Sequence, residues 1–140
     1  MKREVVTKIL QEREVREELK YLIEYYAAEG EESCKVLFGF AWGNDYYPGN
    51  EWPEEEVPLQ ELLQKVESVE KTGIGRISQD DFFIYVGELE FLFCHESDIH
   101  IIFLKHKPEI EHFYGRWEKQ GFKPSEWIKD QKVGPGTRVR

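Results

Sequence analysis

The sequence holds only two cysteines among its 140 residues, Cys34 and Cys94. Two thiols cannot build the disulfide framework that holds small secreted domains together. Both lie in apolar runs, CKVLFGF and FLFCH, which suit reduced and buried thiols. Long hydrophobic stretches are missing as well: nothing approaches the ~18 uninterrupted apolar residues of a membrane span, so no membrane role is expected. The opening Met1-Lys2-Arg3-Glu4 has no apolar core of a secretory signal, and a cytoplasmic location is expected. Positive charge is in short supply, with 19 Lys and Arg against 28 Asp and Glu, a formal net charge of −9. Such a chain repels phosphate backbones, so nucleic acid is not an expected partner. No CxxC, HExxH or P-loop is present, and Gly73-Ile74-Gly75-Arg76 has no dinucleotide fingerprint around it. No cofactor or metal is therefore expected, and the balance tips against an enzyme.

Hydrophobic residues make up 40% and aromatics 14%, enough for one buried core. Residues 2–29 contain no Gly or Pro, and Val15, Leu19, Leu22 and Tyr26 fall at helical spacing, so a first helix is expected over 2–29, stopped by Gly30. Val5, Val6, Ile9 and Leu10 give it an earlier apolar patch. Residues 34–42 read as a strand with Val36, Phe38, Phe40 and Trp42 on one face. A second helix is expected over 58–71, opened by Pro58, with Leu59, Leu62, Leu63, Val66 and Val69 as its stripe. A third is expected over 108–121, opened by Pro108 and built on Ile110, Phe113, Tyr114 and Trp117.

Residues 74–104 carry alternating runs that predict a meander, with a short strand over 74–78 followed by Phe82–Val86, Leu89–His95 and Ile99–Leu104. Gly87-Glu88 suits a two-residue type II′ turn, which sets Val86 opposite Leu89, Ile84 opposite Phe91 and Phe82 opposite Phe93. A three-residue turn at Glu96-Ser97-Asp98 would set Phe93 opposite Ile101 and Phe91 opposite Phe103. These residues share one apolar face. The other face, with Phe83, Tyr85, Glu88, Glu90, Leu92, Cys94, His100, Ile102 and Leu104, is mixed, and suits either a helix cover or an interaction surface. The whole reads as a single α+β domain over 1–128 with a mainly antiparallel sheet. The tail 129–140 has four bases and one acid around Gly134-Pro135-Gly136 and is expected to be disordered.

Two segments carry candidate chemistry. Cys94-His95-Glu96-Ser97-Asp98-Ile99-His100 holds thiol, imidazole and carboxylate within seven residues. The expected hairpin puts Cys94 and His100 on one face and His95 on the other, which breaks up a three-ligand site. A reactive Cys94 also wants an electropositive setting that this acidic, apolar run does not offer. Asp80-Asp81 could do acid–base work, but Asp equally favours strand-entry turns. The second segment is the loop expected over 43–57, where two Gly, two Pro and two Asn oppose regular structure. It carries Tyr46, Tyr47 and Trp52 together with Asp45, Glu51, Glu54, Glu55 and Glu56, and no base. Aromatic anchors in an acidic field suit a partner with a basic surface. The expectation is a small acidic protein-binding module, specifically an immunity- or antitoxin-type protein that neutralises a basic toxin or nuclease. The alternatives are a small enzyme using Cys94, His95, His100 and nearby carboxylates, and a structural homodimer subunit. If the aromatics only close over the core, the face around Tyr85, Leu92 and Ile102 becomes the better surface.

Overall fold

A computed structural model describes residues 2–128 and the backbone of 137–138. The elements run β1 (Arg3–Val6), α1 (Glu12–Ala28), β2 (Ser33–Phe38), the single-turn α2 (Gly43–Tyr46), β3 (Glu55–Pro58), a 3-10 turn (Leu59–Glu61), α3 (Leu62–Lys71), β4 (Phe82–Val86), β5 (Leu89–Phe93), β6 (Ile99–Phe103), α4 (Pro108–Lys119), β7 (Ser125–Ile128) and the two-residue β8 (Thr137–Arg138). The chain is a single α+β domain. Its open sheet is antiparallel throughout, in the order β3-β2-β4-β5-β6-β1-β7, with β8 added outside β7. The disorder expected over 129–140 lies, apart from 137–138, outside the described residues. No described helix is long and apolar enough to cross a membrane.

Alternation along the strands decides which face is buried. Val36, Phe38, Phe82, Ile84, Val86, Leu89, Phe91, Phe93, Ile99, Ile101, Phe103 and Val5 form one cluster with the apolar stripes of α1, α3 and α4. Tyr26 of α1 and Phe113 of α4 both meet Phe91 edge-on, at centroid distances of 6.0 and 5.2 Å. All three long helices therefore cover the same face. Between α1 and α4, buried Glu18 accepts hydrogen bonds from Arg116 (2.7 Å) and from the Trp117 indole (2.9 Å). Between α1 and the segment after α3, Glu70 takes a two-pronged contact from Arg16 and the backbone N–H of Ile77.

The β4–β5 pairing is the one expected, with Val86 opposite Leu89 and Phe82 opposite Phe93. The turn type is different: Gly87 (φ 56°) and Glu88 (φ 68°) are both left-handed, which is type I′ rather than II′. The β5–β6 register also differs, since Phe93 faces Ile99 and Phe91 faces Ile101. The connection is five residues, Cys94 to Asp98, closed by Cys94 N–H to Asp98 O and Ser97 N–H to Cys94 O, each 2.9 Å, with Ser97 at φ 70°. A shift of two residues keeps every side chain on its face, so the core prediction survives the error.

Other expectations need correction. The helix expected over 2–29 begins only at Glu12, and residues 3–6 are a strand between β6 and β7. Val5 and Val6 are β-branched and fit a pleated surface, but no Gly or Pro marks the break before α1. The strand expected over 34–42 ends at Phe38; the chain turns at Ala41 (φ 116°), which leaves Phe40 exposed and drops Trp42 into the core. The segment 43–57 is not wholly irregular, because it contains α2 and most of the edge strand β3. Pro58 closes β3 rather than opening a helix, and its missing N–H suits an edge. Residues 74–78 form turns, not a strand.

Candidate functional site

Because α1, α3 and α4 share one face, no described helix covers the other. Register places two ribs of side chains across it. One runs Leu37, Phe83, Leu92, His100, Val6; the other runs Glu56, Lys35, Tyr85, Glu90, Ile102, Glu4, Trp127. Phe83 and Tyr85 stack with centroids 6.4 Å apart and planes 7° from parallel. Phe83, Tyr85, Leu92 and Trp127 are half-buried, while Ile102 is buried. Burial pushes the Tyr85 hydroxyl up to about 12, helped by Glu90 and Glu54, so it stays a neutral donor near pH 7. At one end the face opens into a shallow groove of about 660 Å³, where Lys2, Lys35, Lys105 and Lys107 stand with Glu56, Glu88 and Glu90. Charge there is mixed.

The acidic segment meets this face at the β3 edge, where Glu56 stands opposite Lys35 and Glu54 adds its charge near Tyr85. The structure puts its aromatics inward. Tyr47 is buried, and its hydroxyl accepts the Phe38 N–H at 3.0 Å. Trp52 is half-buried and stacks on Tyr47 at 5.8 Å. Tyr46 is half-buried against Phe38, and its hydroxyl donates to Glu55 at 2.7 Å. None of the three is an exposed anchor, contrary to the expectation that at least one would be. Glu55 also holds Lys65 at 3.1 Å and so belongs to the local fold. Asp45, Glu51, Glu54 and Glu56 are exposed.

The other sequence candidates converge more closely than expected. The five-residue turn carries Asp98 back beside Cys94 and His100, so that one ligand atom from each lies within 4.8 Å of the others. His100 Nδ1 meets Glu4 at 2.9 Å, and Nε2 meets Asp98 Oδ2 at 3.2 Å. Burial works against charge on His100, but Asp98, Cys94 and Glu4 around the ring more than reverse it and push it up to about 11. Asp98 is correspondingly lowered: burial opposes this, and the His100 contact prevails. Cys94 and His100 do share one face and His95 falls outside their group, as expected; what the three-residue turn does not show is that Asp98 joins them. Glu4 reaches this group because residues 3–6 form a strand beside β6, a placement that the helical reading of residues 2–29 does not provide.

Cys94, His95 and Asp81 form a second group. Asp81 accepts both the backbone N–H of His95 (2.7 Å) and its Nδ1 (2.8 Å), and this hydrogen bond raises the His95 pKa. The Cys94 sulfur is also nearest Nδ1, at 3.7 Å. A nucleophile–base–acid relay needs the thiol and the carboxylate on different ring nitrogens. Both contacts here use the same one, and the buried thiol does not form that relay. Asp80 faces elsewhere and accepts the Arg76 N–H at 2.8 Å, a turn role.

No protein-family model, no curated protein and no solved structure matches the chain.

Proposed function

We propose that this chain is a small acidic protein-binding module whose uncovered sheet face takes a protein with a basic surface, in the manner of an immunity or antitoxin protein. The observation that supports this reading is the arrangement of the sheet. A broad face carrying Phe83, Tyr85, Leu92 and Trp127 has no helix over it among the described residues, and its β3 edge carries Glu54 and Glu56 from a segment without a base. Apolar area at the centre with charge at the rim is how protein interfaces divide affinity from steering. The acidic border would occupy the place where a nuclease holds phosphate, which is why a basic nuclease is the partner of choice.

The test is protection. The chain is co-expressed with basic nuclease toxins, beginning with any encoded beside its gene, and survival and complex formation are followed. Wild type is expected to protect and Tyr85→Ala to bind at least ~30-fold more weakly, as for an interface hot spot of about 2 kcal/mol. Full protection by a doubly truncated Phe83→Ala/Tyr85→Ala variant with native circular dichroism would overturn the reading.

A further inference from the structure

We propose that the Cys94 thiolate, the Asp98 carboxylate and His100 Nε2 bind one zinc ion, with Glu4 as the positioning residue behind His100. The donors already lie within 4.8 Å of one another. Four-coordinate zinc with bonds of about 2.0–2.3 Å needs its donors some 3.3–3.8 Å apart, which side-chain rotation can supply. The donor set of one sulfur, one nitrogen and one oxygen suits zinc and not magnesium or calcium, which prefer oxygen throughout. Three protein donors leave one position to water.

Two further features point to an ion. Glu4 Oε2 stands 2.9 Å from Nδ1, the arrangement in which a carboxylate fixes a histidine ring so that Nε2 faces a metal. Asp98 Oδ1 is also buried without a hydrogen-bond partner among the described residues, and Nε2 is engaged there by the 3.2 Å ion-pair contact with Asp98 Oδ2 alone. Such an orphaned atom is costly unless something else engages it. The frame is already rigid. Leu10 N–H reaches Ser97 O at 2.8 Å, Thr7 N–H reaches Ile99 O at 3.0 Å, and the Thr7 hydroxyl accepts the Ile99 N–H at 3.0 Å. On binding, the Cys94 thiol proton and the Nε2 proton of the charged ring both leave to solvent. The two negative donors then balance the charge of the ion.

Metal loading is read on the isolated chain, so this proposal stands or falls separately from partner binding. Protein stripped of metal is titrated with cobalt(II), then with zinc. One equivalent of cobalt is expected to give a thiolate-to-cobalt charge-transfer band that zinc abolishes. Cys34→Ser should keep the band and Cys94→Ser should lose it. Glu4→Gln should keep it with affinity lowered ~10–100-fold, the usual effect of removing an outer-shell partner. Asp98→Asn, checked for native circular dichroism, should weaken cobalt binding at least tenfold, and it stands in if Cys94→Ser fails to fold. Absence of a thiolate band in wild type at saturating cobalt, or its survival in Cys94→Ser, or its loss in folded Cys34→Ser, or unchanged affinity in folded Asp98→Asn, would overturn the assignment.

Discussion

Glu18 shows how much one side chain can hold. Its carboxylate is 4% exposed and is satisfied by Arg116 and the Trp117 indole, while the Arg116 guanidinium also lies 3.6 Å from the Tyr21 ring centre. Glu18→Ala strands a cation and an indole N–H between α1 and α4, and should cost about 3 kcal/mol in urea unfolding, the low end for a broken buried pair because Arg116 is partly exposed. Phe91 sits under both helices, and Phe91→Ala should cost about 3–5 kcal/mol in the same measurement. Glu12 reports on pH. Burial raises its pKa, and the hydrogen bonds from Arg76 and Arg16 outweigh that, leaving it below the usual carboxylate value. A lowered folded-state pKa means that its stabilisation is complete above the unfolded value and fades as pH falls through the folded one. Wild type should therefore be more stable than Glu12→Gln at pH 6, and the gap should close with acidification below about pH 4.5. A gap that stays constant to pH 3 would show that the ion pairs contribute nothing.

The elements differ in how far the sequence disclosed them. The β4–β5 hairpin was legible because two alternating apolar runs meet at Gly87-Glu88, and α4 was legible because Pro108 and Gly121 mark its limits around a clean helical stripe. β1 was not, because four residues are too few to show a period and their apolar content matches either structure. The zinc-site candidate was half legible. Its residue types were visible, but its geometry depended on a turn length that patterning cannot distinguish when the error is an even number. The hairpin makes its own prediction. Glu88 holds φ 68° with a side chain that disfavours it, whereas Gly87 has a Tyr26 ring carbon 2.9 Å from where a Cβ would stand. Glu88→Gly should raise the melting temperature by a few degrees, and Gly87→Ala should lower it by more.

For the molecule as a whole, charge and shape act on different steps of association. Exposed Glu51, Glu54 and Glu56 act through a field that decays over about 8 Å at physiological salt. Changing these three to Gln should slow association with a basic partner and flatten its salt dependence, with dissociation nearly unchanged. Glu55 is left out of that set because it holds Tyr46 and Lys65. Truncation of Tyr85 should do the reverse, speeding dissociation. Kinetics that moved together in the two variants would argue against this division of labour.

The position of β1 bears on the order in which the chain becomes a protein. Residues 3–6 leave the ribosome before every other described element, yet their partners are β6 at 99–103 and β7 at 125–128. Through most of synthesis Val5 and Val6 have nothing to pair with, and once β6 emerges its outer edge stays open until β1 returns to it. An open edge of this kind recruits whatever strand is near, including another nascent chain. Ribosome-bound chains halted with residue 95 at the tunnel exit should remain protease-sensitive throughout, even though α1, β2 and the β4–β5 hairpin are already outside. Resistance should arrive in one step, late, once β6 is free to receive β1.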